Sequence, residues 1–243
     1  MSQLLYQLDD ASLAFPPLNS ALTEPNGLLA IGGDLSSARL LSAYSQGIFP
    51  WYSEDDPLMW WSPNPRAIID LNQLRINRTL AKAIRKAPYT ITLNQDFIQV
   101  IQLCADAPFR QDETWILDDM QAAYIGLHQQ GHAHSIEIWQ TDENNNNNNE
   151  LVGGLYGVAI NGFFSGESMF YKRSNTSKFA LIALGQLLQS IGINFIDCQL
   201  LNPFLADMGA KEISRVAFLQ KHQQAITTRV PDDFWQARTL TLN

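Results

Sequence analysis

The sequence is short of cysteine, of basic charge and of long apolar runs. Cys104 and Cys198 are its two cysteines, with no pair at metal-ligand spacing. A disulfide framework and a zinc ribbon are therefore excluded, and two buried thiols are expected. No apolar run approaches the ~18 residues of a membrane-crossing helix. Nor does a charged-then-apolar leader open the chain, so a cytoplasmic protein that does not engage a membrane is expected. Lys and Arg total 16 against 24 Asp and Glu, a net charge of −8. That balance argues against non-specific coating of nucleic acid, although it permits a local basic patch. Signatures of bound cofactors are missing too. The glycines of GGLYG form neither a dinucleotide fingerprint nor a phosphate loop with its GK[ST]. Ser165 and Ser168 lack the G-x-S-x-G elbow of a serine nucleophile. No cofactor and no metal are expected.

What is present is globular. Across 243 residues the hydrophobic fraction is 46% and the aromatic fraction 10%, enough for a substantial core. Residues 1–64 are rich in Pro, Gly and aromatics. Asp34 or Ser36 can cap a short helix carrying Leu40, Leu41 and Tyr44, closed by Gly47. A small N-terminal domain is expected there, with Pro63 and Pro65 marking its boundary and a larger domain over 65–243. Trp51, Tyr52, Trp60 and Trp61 cluster within this first part. Trp60 and Trp61 read as core, whereas Trp51, between Pro50 and polar Ser53-Glu54-Asp55-Asp56, competes as an exposed stacking surface.

Beyond the boundary, Arg75, Arg78, Lys82, Arg85 and Lys86 concentrate basic charge, the last four on one helical face. A solvated face and a phosphate-contacting patch are both consistent with that pattern. Helices are read over Asn94–Ala105 and Leu117–His128, the second ended by Gly131, and a strand over Ser135–Gln140. His128, His132 and His134 straddle the glycine and have no completing carboxylate, so they read as a helix-to-strand junction. The asparagine run from 144 to 149 reads as an exposed hairpin loop.

The densest pattern lies between Glu150 and Leu201. Two apolar runs, Leu151–Ile160 and Phe163–Phe170, flank Asn161-Gly162 and predict a β-hairpin. If Ile160 pairs with Phe163, uninterrupted counting sets Glu167 opposite Tyr156 and Met169 opposite Gly154. The following Ser-Asn-Thr-Ser is suited to capping a helix over Lys178–Ile191, and Gly192 ends it. Asn194–Leu201 then reads as a strand, with Phe195, Asp197, Gln199 and Leu201 on one face and Ile196, Cys198 and Leu200 on the other. Asp197 and Gln199 on an apolar strand demand partners or a pocket. The pocket so drawn holds Glu167, Asp197 and Gln199 beside apolar Leu155, Met169 and Ile196. Near Ser214–Gln223 one more short helix is expected, before a tail carrying Trp235. The element order gives an α+β or α/β layer with a mixed sheet, in a layout like that of N-acetyltransferases (GNAT-type).

In order along the chain, EPNGLLAIGGDLS, GIFPWYS, WWSPNPRAII, TWI, GHAHSIEIW, LVGGLYGV, GESMF and IDCQLLN resemble the leucyl/phenylalanyl-tRNA–protein transferase family. These blocks span residues 24–202. The resemblance implies a two-domain α+β monomer whose larger domain is acetyltransferase-like. It implies transfer of Leu, Phe or Met from aminoacyl-tRNA to the N-terminal Arg or Lys of an acceptor protein, marking that protein for degradation. It sets Trp51 and Trp115 beside the terminal adenosine, and matches the family's DCQ to Asp197-Cys198-Gln199, where Gln199 guides the attacking amine while Asp197 and Glu167 assist. The basic cluster becomes the tRNA contact. Asp112, Glu113 and Glu137 are candidates for reading the acceptor's basic side chain. An acetyl-CoA-dependent acetyltransferase and a non-catalytic tRNA-binding module remain the alternatives.

Overall fold

The computed structural model describes residues 4–86, 88–107, 114–142 and 148–242. In chain order the elements are β1 (Tyr6–Leu8), β2 (Leu28–Gly32), α1 (Ser37–Tyr44), β3 (Phe49–Pro50), β4 (Met59–Trp61), β5 (Arg66–Asp70), α2 (Arg78–Lys86), β6 (Tyr89–Leu93), α3 (Phe97–Ala105) and α4 (Asp118–Gln129). They continue as β7 (Ala133–Asp142), β8 (Asn148–Ile160), β9 (Phe163–Tyr171), α5 (Thr176–Gln189), β10 (Phe195–Gln199), α6 (Pro203–Asp207), β11 (Lys211–Ile213), α7 (Arg215–Ile226) and β12 (Arg238–Leu240). Side-chain caps set several helix starts. Ser36 accepts from the Arg39 N–H, Asp96 from Gln99, Asn202 from Leu205 and Ser214 from Ala217. Asp96 starts α3 at Phe97, three residues later than the apolar spacing suggested, because Asn94 takes a left-handed turn with φ 55°.

Two sheets result. A small one, in the order β1-β2-β4-β3, uses residues 6–61, and a large one, in the order β11-β5-β10-β9-β8-β7-β6-β12, begins at Arg66. Most large-sheet neighbours run antiparallel. The exception is β9 with β10, a parallel pair joined by α5, and it meets at one register position, Asp197 opposite Ser165. Past that point the two strands diverge. The mixed α+β architecture expected from the sequence is therefore present.

Buried residues fall into two clusters, one on each face of the large sheet. One joins Leu29, Tyr44 and Trp60 from the N-terminal part to Val100, Met120, Tyr124, Tyr156, Phe163 and Phe170. The other packs Phe179, Leu181, Ile182 and Leu184 of α5 against Ile138, Val152, Leu155, Phe164 and Ile196. The small sheet thus shares its core with α3, α4 and one face of the large sheet. Residues 144–147 of the asparagine run lie outside the described residues, whereas Asn148 and Asn149 open β8.

The hairpin register needs correcting. Ile160 does pair with Phe163, but between Gly157 and Tyr156 the count shifts by one, so Tyr156 faces Ser168 and Leu155 faces Met169. Glu167 is the extra residue of a β-bulge. The shift is visible in the packing. Phe163, before the bulge, and Phe170, after it, sit in the same core cluster despite their odd separation. Gly157 makes the bulge possible, because a Cβ there would lie 2.2 Å from the Ser165 carbonyl oxygen.

Candidate active site

Where β9 and β10 separate, a cleft of about 630 Å³ opens through the sheet. Its walls come from both faces. Phe49, Trp51, Trp115 and Tyr156 line one end, and Leu155, Met169, Leu181, Leu184 and Ile196 line the other. Glu167 and Gln199 sit between them. Six of the expected apolar and aromatic positions and polar groups, Trp51, Trp115, Leu155, Met169, Ile196 and Glu167, thus meet around one cavity with Gln199. Trp60 and Trp61 are buried, whereas Trp51 is 41% exposed and offers its ring at the cleft mouth. Its backbone oxygen is fixed by the Trp61 indole N–H at 2.6 Å.

Asp197 is placed differently from its expected common face with Gln199. The register of β10 slips between the two residues, and Gln199 turns into the left-handed region at φ 55°. Gln199 consequently lines the cleft, while Asp197 is fully buried behind it. Arg66 Nε and Nη2 donate to the two Asp197 oxygens at 2.8 and 2.6 Å, a fork-on-fork pair. The guanidinium lies between the rings of Phe49 and Phe218, 4.7 and 4.5 Å from their centroids, and Nη1 reaches the Gly47 oxygen at 3.2 Å. Arg66 is the main residue of this candidate site that local sequence patterns do not reveal. An arginine opening the buried strand Arg66-Ala67-Ile68-Ile69 was the available signal, since a buried guanidinium requires a carboxylate.

The polar groups form one network. Ser165 Oγ lies 3.0 Å from Glu167 Oε1 and 3.3 Å from Asp197 Oδ2, and receives Gln199 Nε2 at 2.7 Å. Tyr124 donates its hydroxyl to Glu167 Oε2 at 3.1 Å, and Tyr44 of α1 meets Tyr124 oxygen to oxygen at 2.5 Å. Burial pushes the Glu167 carboxyl up to about 7; hydrogen bonds from Tyr44, Ser165 and Tyr124 oppose that rise and the Asp197 charge adds to it. Glu167 is thus the cleft group that can exchange a proton near neutrality. The Cys198 thiol, also on the cleft, is pushed up by burial and by the Asp197 charge and stays protonated.

Other expected residues lie elsewhere. Glu137 is fully buried and accepts from Ser135 Oγ and Thr92 Oγ1, both at 2.5 Å, so it cannot meet an acceptor side chain in the cleft. Asp112 and Glu113 fall outside the described residues. His134 stacks on Trp235 at 4.0 Å and His128 on Phe97 at 4.4 Å, and burial lowers His134 to about 3. Arg78, Lys82, Arg85 and Lys86 project from the outer face of α2, with Arg75 just before it, all exposed and none in an ion pair among the described residues. Beneath α2, Ala81 and Ile84 cover a groove floored by Phe179, Ile182 and Gln186. Those three residues lie on the side of α5 opposite Ser177, Leu181 and Leu184, which face the cleft.

Residues 68–223 match the family model described as Leucyl/phenylalanyl-tRNA protein transferase, and residues 33–64 match that described as its N-terminal domain. The chain belongs to the leucyl/phenylalanyl-tRNA–protein transferase family. A leucyl/phenylalanyl-tRNA–protein transferase of Colwellia psychrerythraea is 75% identical over 242 residues, covering all of both chains. Relatives of the same name from Idiomarina loihiensis and Pseudoalteromonas translucida are 48% and 49% identical, covering 98% of both chains in the first case and 97% of this chain and 96% of the relative in the second. Among solved structures, FemX superposes with a TM-score of 0.45 at 10% identity, covering 77% of this chain and 65% of its own.

Proposed function

We propose that this member of the transferase family moves Leu, Phe or Met from aminoacyl-tRNA to the N-terminal Arg or Lys of an acceptor protein, marking it for degradation. The carrying observation is the cleft through the split sheet, apolar on the α5 side and polar on the side of Glu167 and Gln199. The donor's side chain enters the apolar end among Leu155, Met169, Ile196 and Leu184, its terminal adenosine stacks at Trp51 and Trp115, and its ester carbonyl lies beside Gln199. Base–aromatic stacking contributes about 1–3 kcal/mol per base. The exposed patch of Arg75, Arg78, Lys82, Arg85 and Lys86 contacts phosphates farther along the tRNA. Charged tRNA is met in the cytoplasm, and the chain acts there as a monomer.

The reaction is aminolysis. The acceptor's α-amine attacks the ester carbon, the new C–N bond forms, the C–O bond to the ribose breaks, and the ribose oxygen ends as a hydroxyl. An α-amine with an ordinary pKa of ~7.7–8.0 is partly neutral at cellular pH, so orientation matters more than a strong base. Gln199, an amide, accepts a hydrogen bond from the amine but does not hold its proton. Glu167 receives the amine's proton and returns it to the departing ribose oxygen, so no net proton is gained or lost. Asp197, with both oxygens on Arg66, acts by holding the strand end that carries Gln199. Two units, residues 1–64 and 65–243, accord with the two sheets, and an acetyltransferase-like fold accords with the parallel β9–β10 pair that diverges around the site.

The test is transfer of labelled Leu and Phe from charged tRNA to proteins beginning with Arg or with Ala. Label on the Arg acceptor alone supports the proposal. Absence of transfer with tRNA still bound would move the chain to the binding-module reading, and acetyl transfer from acetyl-CoA would overturn it.

A further inference from the structure

We propose that Ser165 is a positioning residue that fixes which end of the Gln199 carboxamide faces the attacking amine, an inference that rests on the transferase reading above. Ser165 is fully buried on β9, at the register position where β9 meets β10. Its hydroxyl has one proton and two lone pairs. Two carboxylate oxygens stand within reach, Glu167 Oε1 at 3.0 Å and Asp197 Oδ2 at 3.3 Å. The proton goes to one of them, so the lone pairs are what Ser165 offers to Gln199. Gln199 must answer with a donor, which is Nε2 at 2.7 Å. Its Oε1, at the other corner of the amide, is thereby turned to the cleft.

The orientation survives a change in Glu167. If Glu167 carries a proton and gives it to Ser165, the serine proton passes to Asp197, which the Arg66 fork holds as an acceptor. Gln199 still meets lone pairs. The backbone is tied by the same group, since the Gln199 N–H donates to Asp197 Oδ1 at 3.2 Å. Without the serine hydroxyl, the nearly isosteric ends of the amide can exchange places. The flipped form presents NH₂ to the incoming amine, a donor against a donor.

The experiment has two readouts. Side-chain amide NMR, with the Gln199 signal assigned by its disappearance in Gln199→Ala, reports the hydrogen bond without requiring activity. A slowly exchanging Nε2 proton is expected in the wild type and a rapidly exchanging one in Ser165→Ala. Single-turnover transfer should fall roughly 10–100-fold in Ser165→Ala, the range of a lost orienting contact, with the donor KM within about twofold. Ser165→Thr should restore much of the rate. In a Gln199→Ala background, Ser165→Ala should cost nothing more. Should the alanine variant fail to fold, Ser165→Cys keeps the side-chain volume while weakening the bond and gives the same readings to a smaller extent. An unprotected amide in the wild type, or an undiminished serine effect in the Gln199→Ala background, overturns the proposal. A protected amide in a wild-type protein that transfers nothing overturns the transferase reading while upholding the placement of Gln199 by Ser165.

Discussion

Replacing Arg66 with Met tests what the buried ion pair does. Methionine retains most of the stem volume between Phe49 and Phe218, so the change removes the charge more than the packing. It leaves Asp197, with no exposure, facing an apolar side chain. Breaking a buried pair on one side costs about 3–5 kcal/mol, because the remaining charge is left uncompensated. Against a total stability of ~5–15 kcal/mol that is a large fraction. Asp197→Asn should cost a comparable amount by stranding Arg66. The double variant strands neither charge, so its cost should fall below the sum of the singles by about 2 kcal/mol or more, within the range seen for directly contacting residues. Urea unfolding of the four proteins at neutral pH gives the cycle. Because Asp197 Oδ1 also holds the Gln199 N–H, the Arg66→Met protein that remains folded should lose kcat more than donor affinity. Additivity within ~0.5 kcal/mol would refute the claim that Arg66 and Asp197 stabilise one another.

Reversing Lys82 and Arg85 to Glu should raise KM for charged tRNA while sparing a minimal aminoacyl-adenosine donor; equal losses with both donors would remove α2 from the tRNA contact. Wild-type affinity for tRNA should also fall with salt, by a log–log slope of about −0.7 to −0.9 per phosphate neutralised. Glu167→Gln should alter the pH dependence of stability. The folded-state carboxyl lies near 7 against an ordinary 4.5, so the folded protein binds the extra proton between those values and loses stability as pH rises through them. The loss is at most ~3 kcal/mol, since Glu167 borders the open cleft. Glutamine removes this slope, and urea midpoints at pH 5 and 8 that shift in parallel for both proteins would contradict it; Tyr44, Tyr124 and Asp197 are the ionisable groups that act on Glu167 directly. Gly157→Ala should cost roughly 1–3 kcal/mol by overpacking, with the added Cβ driven into the Ser165 carbonyl and the Phe164 ring. Retention of full stability and activity would mean that the bulge does not depend on this close approach.

Local chemistry made the secondary structure legible. The Asn161 turn, the helical spacing from Phe179 to Leu188 and the closing Gly192 each act within a few residues, and each element formed within a few residues of its expected bounds. Three of the cleft's apolar members, Leu155, Met169 and Ile196, were legible for the same reason, as were Trp51 and Trp115 through the motifs that carry them, whereas Phe49, Leu181 and Leu184 were not. Counting along strands failed at Glu167 and at Gln199, because a β-bulge breaks the period of two on which the counting rests. The signal in the sequence was glycine. Gly157 and Gly166 face each other beside the bulge. Arg66 was not legible as a site residue because its partner is 131 positions away, and pairing over that distance is decided by the sheet order β5-β10-β9. Tyr44 and Tyr124 were hidden similarly. Each sits at helical core spacing, and only packing brings their hydroxyls to Glu167.

The two irregularities have a common consequence. A regular parallel ladder between β9 and β10 would close the sheet, and side chains would alternate strictly between its faces. Here the ladder stops after Asp197 and Ser165, and a bulge on each strand at that point sets Glu167 and Gln199 at the gap rather than on opposite faces. The gap lets a ligand cross the sheet. In the proposed reaction an apolar side chain lies against α5 at Leu181 and Leu184 while its ester carbon stays level with Gln199, residues that all line the cleft. Shifting either strand back into register would keep every residue of the site and still destroy it, because the carboxylate and the amide would no longer share the opening. Gly157→Ala is therefore a test of the cleft as much as of the strand. Its loss of activity should exceed what its loss of stability explains, when both are measured on the folded fraction.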